Sequence, residues 1–160
     1  MKKKSITAIK KDTRSMIREV VIQFKPLDTE RIKVDNPAKV SEFISEKIGN
    51  DARENFILLC IGNKNEVVSY SVISVGTITE AIVHPREVFI PAIMTKASGI
   101  IVAHNHPSGV NLPSRQDIET TKRLAEAGKV IGIPLVDHII VGFNHPAGSF
   151  YSMKENGYIN

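Results

Sequence analysis

AHNHPSGVNLPSRQD, running from Ala103 to Asp117, decides how the rest of the chain is read. It extends the apolar run Gly99-Ile100-Ile101-Val102, which predicts a buried strand. Side chains alternate faces along an extended chain, so His104 and His106 point one way and Asn105 the other. Pro107, Ser108 and Gly109 end the strand and open a loop. Pro113-Ser114 restarts regular structure. Ile118, Leu124, Ala125 and Ala127, set among charged residues, predict an amphipathic helix with Asp117 in its first turn. Two imidazoles at a strand end facing a carboxylate at a helix start make three ligands with an open fourth position. That is the pattern of a catalytic zinc, not a structural one. A plainer reading stands beside it. Ser114 and Asp117, three apart, also make a capping box, and a His-x-His pair is often only a polar strand end.

Read as one string, His-x-His-Pro, six residues, Ser, two residues, Asp resembles the signature of JAMM/MPN metallohydrolases. HPREVF from His84 and AHNHPSG from Ala103 are similar, more narrowly, to the RadC branch of that family. The resemblance covers roughly residues 36–153 and implies the cytidine-deaminase-like JAMM fold. It implies one zinc per chain, held by His104, His106 and Asp117, and hydrolysis of a peptide or isopeptide amide. In that family a glutamate before a buried strand, upstream of the histidines, is the general base. The matching position is Glu54, ahead of Asn55-Phe56-Ile57-Leu58-Leu59. Glu66, Glu80 and Glu87 compete with it. The resemblance makes Ser114 the group that steadies the oxyanion. Capping with its hydroxyl oxygen would leave its O–H free to donate. Full-length RadC proteins also carry an N-terminal helix-hairpin-helix region, which has no counterpart here, so a short form is expected.

Composition narrows the classes. The 160 residues are enough for one domain with one core, and a hydrophobic share of 42% with 24% charged is that of a soluble globule. No apolar run approaches the ~20 residues that span a bilayer, and MKKKSITAIKK lacks the apolar segment of a signal peptide. No membrane partner is expected. Cys60, the sole cysteine, excludes an internal disulfide and suits a reducing cytoplasm. The net charge of +4 is uneven. Residues 1–18 hold seven Lys/Arg against Asp12, a charge of +6, which leaves −2 for the rest. The basic character therefore belongs to a tail, residues 1–18, ahead of a single domain over 19–160. That tail reads as a solvated terminus or as an arm for DNA phosphates.

In chain order, Arg18–Phe24 predicts a strand and Pro26–Val34 a loop. Asn36 caps a helix with Pro37 at its first position and Val40, Phe43, Ile44 and Ile48 on one face; Gly49-Asn50 ends it. Phe56–Ile61 and Val67–Val75 form a hairpin around Gly62–Asn65, the first strand buried on both sides. Pro85–Ser98 looks helical, but Pro91 predicts a short turn first and the helix proper after it. The helix after Ser114 ends near Gly128. Leu135–Val141 and Gly148–Ser152 are further strands. The order gives an α/β sandwich, a mixed sheet with helices on its faces. His84 is a cap or a partner for a ligand, His138 a hydrogen-bonded structural group, and His145 part of a loop.

Three rivals remain. A DNA-repair role, hydrolytic or purely binding, follows from the association of RadC with repair, but a two-metal nuclease needs carboxylates that the motif lacks. A metal-binding scaffold is the second, although inactive MPN domains typically lose ligands that this chain keeps. An amidohydrolase barrel needs ~250 residues, which excludes it.

Overall fold

The computed structural model describes residues 21, 23–76, 83–142 and 149–159. Four helical or strand elements precede the motif. Helix α1 (Pro37–Ile44) starts where Asn36 Oδ1 accepts from Lys39 N–H, and it runs into one π-helical turn, Ser45–Gly49. Strands β1 (Asn55–Ile61) and β2 (Val67–Val75) form the expected hairpin, closed by Gly62 N–H donating to Glu66 O and Asn65 N–H to Gly62 O. Helix α2 spans Pro85–Met94. Then follow β3 (Gly99–His106), α3 (Arg115–Ile131), β4 (Leu135–Gly142) and β5 (Phe150–Ser152).

Among the described residues the sheet runs β2-β1-β3-β4-β5. Only the β3/β4 pair is parallel, and α3 is the crossover a parallel pair requires. Alternation splits the core in two. Phe56, Leu58 and Cys60 of β1, with Ile100 and Val102 of β3, face α2 and α3 through Val88, Phe89, Ala92 and Leu124. Ile57, Leu59 and Ile61, with Ile101 and Ala103, face α1 through Val40, Phe43, Ile44 and Ile48. The central strands are thus apolar on both sides, as their unbroken hydrophobic runs require. The mixed sheet between helical layers is the predicted α/β sandwich.

Three expectations need correction. Pro91 does not interrupt α2, which is one helix from Pro85. A proline removes a single N–H bond there, and burial of Val88, Phe89 and Ala92 on either side of it outweighs that loss. The helix also stops at Met94, short of Ser98, because Lys96 takes a left-handed φ of 54° and Ala97 N–H closes back on Ala92 O. In α3, Gly128 lies inside the helix and Gly132, φ 80°, ends it. Gly128 serves close packing instead: a Cβ there would sit 2.6 Å from Ile133 O.

The strand expected over Arg18–Phe24 falls mostly outside the described residues, and neither Gln23 nor Phe24 is in a strand. The basic tail also lies outside them. Among the described residues no helix is long and apolar enough to cross a membrane.

Candidate metal centre

Strand β3 ends by pointing His104 and His106 from one face, their Nε2 atoms 2.9 Å apart. His104 is fully buried and His106 mostly so. The antiparallel register pairs Phe56 with His104, so the residue two before Phe56 falls beside the residue two after His104. That residue is Glu54, whose Oε1 lies 4.0 Å from His104 Nε2 and 3.9 Å from His106 Nε2. Ligand atoms of Glu54, His104 and His106 lie within 4.8 Å of one another, a group that could hold a metal ion.

Asp117 arrives from the other side, on the first turn of α3. Its two oxygens do different work. Oδ2 accepts from Ser114 N–H at 2.7 Å and from the Ser114 hydroxyl at 2.6 Å, while Asp117 N–H donates to Ser114 Oγ. Oδ1 faces His104 Nε2 at 3.2 Å, and Oδ2 also lies 3.6 Å from His106 Nε2. The capping box and a carboxylate that faces the imidazoles are therefore not alternatives; one side chain supplies both. The Ser114 O–H, expected to be free, is not: it donates to Asp117 Oδ2. A carboxylate accepts strongly and the serine hydroxyl lies against it.

The charges suit a cation. Burial alone would push the Asp117 carboxyl up, but its bonds to His104, His106 and Ser114 outweigh that and hold it far below the usual carboxylate range. The same carboxylate raises His106, against the opposing effect of burial. His106 Nδ1 lies 2.6 Å from Val110 O, and a carbonyl only accepts, so Nδ1 carries the hydrogen. Nε2 is the nitrogen left to face His104, Asp117 and Glu54, and it is the one an ion would take. Imidazole nitrogen and carboxylate oxygen converging in this way are the donor set zinc takes, and the residues present fit that ion.

Sequence reasoning missed what holds these groups. His138, on β4 beside β3, is fully buried, with its Nε2 2.8 Å from His104 Nδ1 and its Nδ1 2.7 Å from Thr121 Oγ1. It is hydrogen-bonded, as expected, but to the candidate ligand. Burial pushes it well below the ordinary histidine range. Phe56 stacks on the His104 ring, centroids 6.0 Å apart and 10° between planes. Asn105 does face away. On the opposite side of β3 its Oδ1 accepts from Asn55 N–H at 2.7 Å and its Nδ2 donates to Asp51 O and Arg53 O at 3.0 Å. It thereby fastens the turn that carries Glu54. No signal in the sequence alone names the strands on either side of β3, and those neighbours give both residues their partners.

The remaining candidates sit elsewhere. His84 is the cap of α2, Nδ1 accepting from Arg86 N–H. Glu66 pairs with Arg31 and Lys33, and Glu87 with Arg86. Glu80 and His145 lie outside the described residues.

A family model described as RadC-like JAB domain matches residues 34–158. A UPF0758 protein from Rubrobacter xylanophilus is 47% identical over 126 residues, 79% of this chain and 53% of that protein. One from Staphylococcus carnosus is 45% identical over 84% of this chain and 57% of its own length. One from Methanosarcina barkeri is 41% identical over 79% and 54%. The chain thus spans about half the length of the curated relatives it matches, and their names state no activity.

Proposed function

The chain belongs to the RadC-like JAB domain family, and we propose that it is a zinc-dependent hydrolase of the JAMM type that cuts a peptide or isopeptide amide bond. One observation carries the reading. Glu54, from the turn before β1, His106, from β3, and Asp117, from α3, converge within 4.0 Å of His104 Nε2. Four polar or charged groups are gathered at a buried place without such a purpose only at considerable cost.

In this reading His104, His106 and Asp117 hold the ion, one per chain. Asp117 is the nearer carboxylate, 3.2 Å from His104 Nε2, and its side chain is almost wholly buried. Glu54 is farther and more open to solvent, where a proton-transfer group must meet water and substrate. Zinc in such a site supplies Lewis acidity, lowering the pKa of a coordinated water to about 7 and polarising a carbonyl. Glu54 Oε1 takes a proton from the attacking water and returns it to the leaving amine. The Ser114 hydroxyl swings from Asp117 Oδ2 to the oxyanion, while Ser114 N–H keeps its bond to Asp117. A reducing cytoplasm suits the buried free thiol of Cys60.

The test is elemental analysis of the parent, Glu54→Gln and Asp117→Asn, with turnover of peptide and isopeptide amides. One zinc per chain is expected in the parent and in Glu54→Gln, and loss of zinc in Asp117→Asn. Turnover in Glu54→Gln should fall by about 10²–10⁴ with zinc retained. Folded parent protein that takes no zinc when the ion is added back would sink the reading. Zinc lost from Glu54→Gln but kept by Asp117→Asn would exchange the two carboxylate roles.

A further inference from the structure

We propose that Thr121 is a positioning residue: through His138 it fixes a hydrogen on His104 Nδ1, so that Nε2 is the nitrogen His104 keeps for an ion among Glu54, His106 and Asp117. The starting point is a hydroxyl with one hydrogen and two partners. Thr121 Oγ1 lies 2.7 Å from Asp117 O and 2.7 Å from His138 Nδ1. The carbonyl can only accept, so the hydroxyl hydrogen goes there. The contact with the ring is then a bond only if His138 Nδ1–H donates to Thr121 Oγ1. The reverse assignment would leave two oxygen lone pairs pressed together at 2.7 Å in a buried place.

The rest follows along the chain of bonds. His138 is fully buried, and among the described residues no carboxylate is hydrogen-bonded to its ring. A neutral ring protonated at Nδ1 has a lone pair at Nε2. That atom lies 2.8 Å from His104 Nδ1, which must therefore carry a hydrogen. With Nδ1 protonated, Nε2 is the nitrogen that His104 has left for an ion, and it is the one that faces His106 Nε2 at 2.9 Å and Asp117 Oδ1 at 3.2 Å. Phe56, stacked on the ring, opposes a flip that would put carbons where the two nitrogens sit. A threonine one helical turn beyond Asp117 thus decides whether the inner nitrogen of His104 carries its hydrogen. Thr121 also ties the site to the helix that carries Asp117, because the carbonyl it holds is Asp117's own.

The tautomer stands on hydrogen bonding alone; its consequence for zinc rests on the reading given above. Long-range proton–nitrogen correlation spectra of the metal-free, ¹⁵N-labelled chain report the tautomer of each histidine. His104 and His138 should both be protonated at Nδ1 in the parent and in Thr121→Ser, which keeps the hydroxyl. Thr121→Val has nearly the same shape and no acceptor. There His138 should move its hydrogen to Nε2 and His104 should follow, presenting Nε2–H to the cluster. Zinc affinity, measured by competition with a chelator, should drop about 10–100-fold in Thr121→Val and recover in Thr121→Ser. A His104 Nδ1 without a hydrogen in the parent overturns the proposal, whether or not the valine variant folds. So do unchanged tautomers and unchanged zinc affinity in a folded Thr121→Val. A parent with the stated tautomers and no zinc binding supports this proposal and sinks the metal reading.

Discussion

Replacing Asn105 by alanine tests how the turn before β1 is held. The side chain is fully buried, and three backbone groups depend on it: Asn55 N–H, Asp51 O and Arg53 O. They do not lose equally. Arg53 O keeps a 2.9 Å bond from Asn55 Nδ2, and Asp51 is partly open to water. Asn55 is buried, so its N–H has nowhere to turn. One unmet buried donor costs about 1–3 kcal/mol, and the other lost bonds add about 1 kcal/mol, so the expected loss is about 2–4 kcal/mol. For a domain of this size that lowers Tm by roughly 5–15 °C. Urea unfolding should show a lower midpoint at unchanged slope. Asn105→Asp discriminates further: it keeps an acceptor for Asn55 N–H but sets a buried carboxylate against the Asp51 and Arg53 carbonyls. It should be at least as damaging at neutral pH and partly recover in acid. On the proposed mechanism both variants keep zinc, whose histidine ligands point from the other face of β3, and lose turnover as Glu54 drifts. A loss below 1 kcal/mol in Asn105→Ala, with Asn105→Asp equal to the parent, would refute the clamp.

Further tests reach other parts of the fold. Gly128→Ala should cost about 1–3 kcal/mol, because the new Cβ meets Ile133 O at 2.6 Å and Phe89 Cζ at 3.3 Å; calorimetry giving an unchanged Tm would reject close packing as the reason for this glycine. Phe56→Ala should cost about 3–5 kcal/mol and broaden the His104 ring signals, since the phenyl packs on both His104 and His138; sharp, unshifted signals would deny it any part in holding the site. Burial pushes the Asp137 carboxyl above its ordinary value, against three donors: Ser152 Oγ–H, Lys154 N–H and His138 N–H. A raised carboxyl binds its proton more tightly folded than unfolded, so its contribution to stability falls as pH climbs from 3.8 through the folded value. Asp137→Asn should flatten that limb of the stability–pH curve; a variant curve parallel to the parent's would contradict the assignment.

Much of this was legible in the chain, for local reasons. The alternation Ala103-His104-Asn105-His106 sorts the two imidazoles from the amide before any sheet is known. The unbroken apolar run of β1 announces a central strand, and Asn36-Pro37 marks the start of α1 to the residue. What was hidden depends on neighbours. Nothing in the string from Leu135 to Gly142 says that it lies parallel to β3, so His138 had no visible partner. Asn105 showed its direction but not the turn that would meet it. Pro91 misled because a rule about one lost bond was given more weight than the apolar face around it. Gly128 misled because close approach and helix termination call for the same residue.

The doubling of roles at Asp117 has a consequence in time as well as space. Helix ends fray, and the first turn of a surface helix commonly opens long before the fold does. In α3 that turn cannot open without withdrawing Oδ1 from His104, since the carboxylate that faces the imidazoles is the one that closes the capping box. On the proposed ligand set, fraying and ion release are then a single event. The backbone amide of Asp117, bonded to Ser114 Oγ, becomes a gauge of occupancy: its rate of deuterium uptake should slow as the centre fills, while amides in the last turn of the same helix, around Lys129, keep their pace.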